Sequence, residues 1–549
     1  MRGAGHSGAV PTRRLIRGRW PITTAAILVS LLSPLSARAQ ERAAPARQSD
    51  FVDTRLTVTF GDDDLLAPTG AQSPVSPLPA FGDRPGYELF YDNLDSRFTG
   101  RENLAHLVVY REMPGFIADV TTEAALVMRL HTGAGLEGAR LADSGSYLRV
   151  RYNPWLVEPD DGLSITLFPF DSDRMRLGHL YRLSFSGTGF AGGGGLGGLL
   201  GFGSSPGLRV GLDRGPGHYF LGLKTVLSTS GDEQEVDLAG GGRARLPVGE
   251  TQYLALGGAS FDLWNDRLRV DLAGGFFQRG TLQVEDYPAE NLYAVGGAAR
   301  LVYHRYMPLI EPIDLQLYRN DPNEPFFAFA STAYVPGQLS YLVSVEGNYL
   351  AQRLGDADSP GDVGSPGDAT FEHAVGAAAR MRIQYDYWRI ELTGLRRDVP
   401  YLLANAATST HFMSVPQDAA AKAELFFAVT TDYHLPDPRL TFGLSGGVEW
   451  PAAMRVSADF GAGPEDRVLV IHPEGNTTVL AQGEEVSPVI AARADARWDL
   501  SEILYARLWV QYVHDANARR IVLMQADGPA RTFERSHQLG AGVSLAARF

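Results

Sequence analysis

Two short motifs in the chain match patterns that carry chemistry in other proteins. Residues 187–192 read Gly-Thr-Gly-Phe-Ala-Gly, the G-x-G-x-x-G pattern of dinucleotide sites, but further glycines follow where such a site needs a helix. Residues 443–447 match G-x-S-x-G, yet this serine lies in the middle of a predicted strand and not on a strand-to-helix turn. Chance is the favoured explanation of both motifs.

Carboxylates and histidines give no stronger indication of a site. Asp356, Asp358, Asp362 and Asp368 recur in a loop rich in Pro and Gly, and closely spaced carboxylates can hold Ca²⁺. The spacing is not that of an EF-hand, so a solvated acidic loop is the favoured interpretation. The histidines show no paired ligand spacing, and we interpret His304 as a polar group of a lumen. The sequence therefore predicts no enzyme, no metal site and no cofactor.

Arginine supplies the largest group of candidate functional residues, and most of these arginines alternate with apolar residues. The candidate pore-lining arginines are Arg267, Arg269, Arg279, Arg300, Arg380, Arg382, Arg389, Arg493, Arg497 and Arg507. They are interleaved with Asp271, Asp386, Glu391, Asp495 and Asp499. Acids beside bases on neighbouring strands can form pairs that hold a wall, which is the favoured role of any single residue. Together, these charged side chains would set the electrostatic field that a permeating solute meets. Their excess of arginine predicts a preference for anions or neutral solutes.

The elements that position these arginines are strands with one apolar face and one polar face. Side chains alternate between the two faces of a strand, so apolar residues at every second position indicate a sheet that is apolar on one side only. Many of the apolar sets end in Trp or Tyr, which is typical of strands that reach the headgroup zone of a membrane. Six stretches follow this rule: residues 268–279, 293–304, 375–386, 388–392, 440–450 and 490–499.

The connections between the predicted strands are alternately short and long. Short connections on one rim and long, polar ones on the other are typical of a membrane barrel, with the short side in the periplasm. For this alternation to hold, residues 313–318 must also form a strand. We predict an all-β, antiparallel, up-and-down barrel with an even total of about 18–20 strands.

The last stretch of the chain, residues 533–549, has apolar residues at every second position before the terminal Phe549, among them Val543 and Leu545. It resembles the C-terminal strand of Gram-negative outer-membrane β-barrels of the porin-like type. The resemblance implies a transmembrane barrel with periplasmic N- and C-termini, outer-membrane lipid and the barrel-assembly machinery as partners, and an assembly signal formed by Phe549, Leu545 and Val543.

The beginning of the chain agrees with export. Arginines that include Arg13 and Arg14, an apolar run at residues 22–35, and Ala37-Arg38-Ala39 together indicate a signal peptide of residues 1–39. A twin-arginine signal is the less favoured interpretation, because that route exports folded cargo. Outside this leader, the chain contains no run of about 20 apolar residues, the length that a membrane-spanning helix needs. The predicted location is the outer membrane.

Composition sets further limits on this chain of 549 residues, which has a formal net charge of −14 and no Cys. The acidic balance argues against nucleic acid as a partner. We assign residues 40–144 to N-terminal strands or a segment that fills the lumen, and residues 145–549 to the transmembrane barrel. The favoured function is a passive channel for small solutes. The alternative is a non-conducting, filled barrel that acts as a surface structural or adhesion protein.

Overall fold

The computed structural model describes most of the predicted barrel. The described residues are 50–62, 64–66, 102–133, 140–143, 146–154, 161–169, 206–237, 243–282, 290–307, 336–358, 369–404, 413–456, 467–471, 477–480, 483–501, 503–517, 519–525, 528–533 and 536–548. The predicted signal peptide, the G-x-G-x-x-G motif, the predicted strand at 313–318 and Phe549 lie outside these ranges.

The described residues form strands almost throughout. In chain order the strands are β1 Asp50–Asp62, β2 Glu102–Pro114, β3 Val120–Gly133, β4 Arg140–Asp143, β5 Tyr147–Tyr152, β6 Gly162–Phe168, β7 Gly207–Arg214, β8 Gly217–Asp237, β9 Arg243–Leu263, β10 Leu268–Leu282, β11 Glu290–Arg305 and β12 Leu339–Gly355. They continue with β13 Ala369–Tyr385, β14 Trp388–Arg397, β15 Glu424–Leu435, β16 Leu440–Trp450, β17 Ala452–Val456, β18 Arg467–Ile471, β19 Thr477–Val479, β20 Val489–Asp499, β21 Leu504–His514, β22 Arg519–Gln525, β23 Gly528–Phe533 and β24 His537–Arg548.

Helices are short in the described part of the chain. One α-helix, α1, spans Val399–Ala404, and one 3-10 helix spans Gln417–Ala419. Among the described helices, none combines the length and the apolar character that a membrane crossing requires.

The large sheet contains 19 strands, and its pairings return to their starting point. From β1 to β16, consecutive strands pair with each other, with one exception at β4. Strand β3 pairs with β4 at one end and with β5 at the other. After β16, the pairing continues from β16 to β20, from β20 to β21 and from β21 to β24. Strand β24 pairs with β1 from Arg55 opposite Arg548 to Asp62 opposite Ala541. All strands of this sheet except β4 therefore belong to the ring. The chain is an 18-stranded antiparallel β-barrel.

The two faces of the wall differ as the two-residue period predicts. On β16 the outward Leu444 has 61% of its surface exposed, whereas the adjacent Ser445 has 6% and faces inward. Strand β6 alternates in the same way over all seven of its residues. The outer surface of the ring is thus apolar and the inner surface is polar, the reverse of a water-soluble domain, as expected when lipid surrounds the wall.

The rims carry connections of two kinds. Turns such as 264–267, 386–387 and 436–439 are tight, whereas the connections at 356–368, 398–423 and 451–488 on the other rim are longer. Strand β11 pairs directly with β12 at the rim of the tight turns, but residues 306–338 connect them, so the alternation of short and long connections is interrupted there. The ring of strands is complete without the strand that we predicted at 313–318, which lies outside the described residues. The even total of 18 strands agrees with the prediction.

The N-terminal strands β1, β2 and β3 take part in the ring. Strand β2 pairs with β1 on one side and with β3 on the other, and β3 continues the sheet to β5. Met113, Pro114 and Gly115 lie at the turn between β2 and β3.

Aromatic side chains gather on the outer surface near both rims. Near the short turns, the rings of Trp388 and Tyr433 are 4.9 Å apart, and those of Tyr303 and Tyr341 are 5.9 Å apart. Beyond the end of β11, the hydrogen bond and the charge of Arg305 lower the pKa of Tyr306. Near the long connections, a second set consists of Phe276, Tyr293, Phe371, Phe427 and Trp450. Two aromatic belts are typical of a wall that crosses a bilayer between two headgroup zones.

Candidate functional site

The inner wall is organised by ion pairs between neighbouring strands. Arg300 on β11 lies opposite Asp271 on β10, and its Nε is 2.7 Å from Asp271 Oδ2, with both side chains fully buried. Arg389 on β14 makes the same contact with Asp432 on β15, with Nη2 2.7 Å from Oδ2. A buried charge is costly to desolvate unless a partner compensates it. The carboxylates are therefore the reason that arginines can be buried here.

Two carboxylates each hold two arginines. Glu391 accepts hydrogen bonds from Arg380 at 2.8 Å and from Arg382 at 2.6 Å, one on each of its oxygens. Asp495 accepts hydrogen bonds at Oδ1 from Nε of Arg493 at 3.1 Å and of Arg507 at 3.0 Å. We call these groups the Glu391 triad and the Asp495 triad. Each contains one more positive charge than negative.

Further arginines extend the same network. Arg269 binds both carboxylate oxygens of Asp262 on β9, at 2.7 and 2.6 Å. The Nε of Arg497 is 2.8 Å from Asp499, and its guanidinium lies 5.0 Å from the ring centre of Tyr505. Together with the two triads, these contacts form a charged band on the inner wall from β9 to β21. We call it the ion-pair band.

Two residues of the predicted set lie elsewhere. Arg267 occupies the tight turn between β9 and β10 and is exposed, because the strand alternation ends before the turn begins. Asp386 lies in the turn after β13, has a φ of 56°, and accepts a hydrogen bond from the Gly337 N–H at 3.3 Å. We correct both assignments to turn residues. The side chain of Arg279 lies outside the described residues.

Several carboxylate partners in the ion-pair band were not predicted from the sequence. Asp262, Asp432 and Glu424 each bind an arginine, and Glu424 holds Arg397 through two contacts of 2.7 and 2.9 Å. A second missed pair joins Arg149 to Glu123 at 2.8 Å. The signal that could have found them is an acid opposite an arginine in the strand register, and the register was not fixed by the sequence. With these acids included, the inner wall is more evenly balanced than the sequence count suggested.

A long connection folds onto the inner wall near the opposite rim. The ring of Tyr401 in α1 packs on Gly376 of β13, where an added Cβ would lie 3.2 Å from the ring. Gln352 of β12 donates a hydrogen bond to the carbonyl of Pro400 at 3.4 Å, and the Val415 N–H donates to Glu372 at 2.7 Å. The described residues of this connection thus lie against the inner face of the ring, and we call residues 398–404 and 413–423 the inner loop.

A second connection supports the inner loop. Strands β17, β18 and β19 form a separate sheet within residues 452–479. Its residues Ala452 and Ile471 form one buried apolar cluster with Val399 and Leu402 of α1. A helix of six residues has little stability in isolation, so this cluster is what fixes α1 in place.

The remaining candidates have structural roles. His304 lies with Nδ1 2.5 Å from the carbonyl of Met307 and Nε2 against the carbonyl of Asp266, so it joins two turns. Ser445 of the G-x-S-x-G motif is buried within β16, which continues as a strand to Trp450. Within the described ranges, no group of three or more His, Asp or Glu side chains could hold a metal ion.

Comparison with known proteins gives likeness in structure only. No family model matches the chain, and no curated protein matches it. OccK1 (OpdK) of Pseudomonas aeruginosa is 9% identical over 91% of this chain and 98% of that chain, with a TM-score of 0.40. OccK3 (OpdO) of the same organism is 10% identical over 91% and 95%, with a TM-score of 0.41. OccAB2 of Acinetobacter baumannii is 7% identical over 91% and 98%, with a TM-score of 0.40. These likenesses do not assign a function to this chain.

Proposed function

We propose that this protein is a porin-like passive channel of the outer membrane that admits small solutes. The single observation that carries the proposal is the reversal of the two faces of the wall. Apolar side chains such as Leu444 and Leu272 cover the outside, while charged side chains such as Arg300 and Glu391 cover the inside. This arrangement supports a wall that lies in lipid and a polar path through the ring for water and small solutes.

The number of strands supports a path of useful width. Barrel diameter grows with strand number, and barrels of about 16–18 strands enclose an aqueous channel. The inner loop and the apolar cluster that holds it take up part of that space. We therefore expect a narrow channel, with a size limit set by the inner loop.

The charge of the ion-pair band supports a selectivity for anions or neutral solutes. Arg300, Arg389 and Arg397 each form an ion pair with one carboxylate. Such a neutral pair exerts only a weak electrostatic field on a passing solute. In each of the two triads, two arginines share one carboxylate. Selectivity should therefore depend on the triads rather than on the total number of arginines.

Solute efflux from vesicles tests the proposal. Vesicles loaded with neutral sugars of graded size should release the small sugars quickly when they contain the mature, folded chain. Vesicles with the same mass of denatured chain are the control. A mobility shift on heating in SDS shows that the protein is folded. If folded protein releases no sugar of any size, the channel is contradicted.

A filled, structural barrel is the second candidate, and the burial of the inner wall favours it. Gln352, Arg300 and Arg389 have none or almost none of their surface exposed although they face the interior. A wide, water-filled lumen would leave such side chains accessible. Under this alternative the same vesicles release no sugar, and the long connections of one rim carry the function.

A further inference from the structure

A cluster on the outer surface combines aromatic rings with basic side chains near the rim of the long connections. Arg353 of β12 lies in register between Tyr293 of β11 and Phe371 of β13. The rings of Tyr293 and Phe371 meet edge to face, with their centres 6.2 Å apart, across the strand that carries Arg353. The Nη1 of Arg353 donates to the carbonyl of Asn291 at 2.9 Å, which holds the guanidinium at this level of the wall.

A histidine extends this cluster toward the middle of the wall. His373 of β13 is exposed, and its Nδ1 is 2.6 Å from the hydroxyl of Tyr349 on β12, with the two rings stacked 5.9 Å apart. Because Tyr349 engages Nδ1, the ring is fixed and Nε2 is the nitrogen that an external group would meet. We call Tyr293, Tyr349, Arg353, Phe371 and His373 the outer basic cluster.

The position of the outer basic cluster determines what it can meet. Outward residues below it, such as Val375 and Val345, are exposed aliphatic side chains that face acyl chains in a membrane. Aromatic rings at the ends of such strands lie at headgroup level. The carboxylate of the neighbouring Glu372 is directed to the inner loop, where it accepts the Val415 N–H. The cluster therefore presents positive charge to lipid headgroups.

The tyrosine and histidine arrangement occurs a second time on the same rim. Tyr512 of β21 and His537 of β24 occupy the same diagonal relation, with the hydroxyl 2.6 Å from Nδ1. His514 stacks on His537 with ring centres 4.4 Å apart. Repetition at a different part of the ring indicates a feature of this membrane level and not a local packing accident.

We propose that the outer basic cluster binds the phosphate of a membrane lipid headgroup on the side of the long connections. Arg353 supplies a planar donor that suits phosphate oxygens, and His373 supplies a ring nitrogen beside it. The flanking rings pack on the first carbons of the lipid. This inference requires the wall to lie in a membrane, but it does not require the channel to conduct.

Native mass spectrometry of the folded, full mature chain in detergent tests the site. Dioleoyl phosphatidic acid should give a saturable first adduct, and dioleoylglycerol, which has the same chains without phosphate, should not. The double substitution Arg353→Gln with His373→Gln should weaken that adduct roughly tenfold. Tyr349→Phe, which keeps the ring but removes the contact to His373, should weaken it by a smaller factor.

A matched control is available on the next strand. Arg396 is also outward and 48% exposed, but it lies outside the outer basic cluster and pairs with Asp398 at 2.8 Å, so Arg396→Gln should leave the adduct unchanged. Equal binding of the two lipids would overturn the proposal. Displacement of the lipid by the same concentration of inorganic phosphate would also overturn it. Unchanged binding by the double variant or by Tyr349→Phe would do the same, provided that the mobility shift on heating shows a folded barrel.

Discussion

The indole of Trp509 on β21 lies against Gly542 on β24, at the place where the ring of strands closes. Gly542 is in register with Gly61 of β1, and a Cβ at Gly61 would lie only 2.9 Å from Cζ2 of the same indole. Trp509 is buried, with 2% of its surface exposed, and the guanidinium of Arg493 lies 5.6 Å from its ring centre. The Trp509 side chain thus packs on the inner face of both the first and the last strand. It fits there because Gly61 and Gly542 have no Cβ.

This contact predicts that Gly542→Ala impairs closure of the barrel. The added methyl would overlap the indole, and overpacking of this kind costs about 1–3 kcal/mol. The fraction of chain that shows the heat-dependent mobility shift in SDS measures assembly. Gly347→Ala is the control, since a Cβ at Gly347 meets nothing within 4 Å. Trp509→Leu should restore assembly of Gly542→Ala, and failure to do so would contradict the assigned contact.

The reversed faces of the wall predict opposite responses to charge at adjacent positions. Leu444→Arg should destabilise the barrel by roughly 2–4 kcal/mol if the site is near the bilayer midplane, because the guanidinium would face lipid. Ser445→Arg, one residue on, should be far milder, because it faces the polar interior. Reversible unfolding in urea with lipid vesicles gives both values. The pair Leu272 with Ala273 should repeat the result. Equal damage on both faces would show that the sheet is not a membrane wall.

The ion-pair band predicts strong coupling between Arg389 and Asp432. Both side chains are fully buried, so Arg389→Leu alone should cost about 3–5 kcal/mol because it leaves a buried carboxylate without its partner. Arg389→Leu with Asp432→Leu should be much less damaging than the sum of the single changes. Arg396→Leu, at an exposed pair, should cost less than about 1 kcal/mol. Additive single effects at Arg389 and Asp432 in the same unfolding assay would contradict the pairing.

The inner loop predicts a change in pore size. Leu402→Asp places a charge in the apolar cluster that fixes α1, so the inner loop should leave the wall and the single-channel conductance should rise. Gln417→Asp is the control, since Gln417 is exposed at the surface of the same connection. Unchanged conductance of Leu402→Asp in a folded barrel would show that the inner loop does not limit the path.

The strands could be predicted from the sequence because lipid on one side and polar groups on the other impose a two-residue period. The stretch predicted at 440–450 has the observed bounds of β16, and the alternation of Arg380 and Arg382 with Met381 identified the inner face of β13. The partner of each arginine could not be predicted, because pairing depends on which residues face each other across strands. Arg389 finds Asp432 at a separation of 43 residues.

The inner loop was also beyond prediction. Its length is that of an external connection, and its place inside the ring depends on contacts with distant residues such as Gln352 and Ile471. The turn position of Arg267 has a related cause, since the strand period gives no sign of where a strand stops. The local sequence pattern determines which face of a strand each residue occupies. The ends of the strands and the paths of the loops depend on contacts between residues that are distant in the chain.

Single-channel recording across a salt gradient tests the central claim most directly. The folded protein in a planar bilayer should conduct, and its reversal potential should show a preference for anions that weakens when Arg380, Arg382, Arg493 and Arg497 are changed to Gln, because these residues belong to the two triads or adjoin them. Absence of conductance would contradict the channel and favour the filled barrel, and a strong preference for cations would contradict control of the pore by the triads.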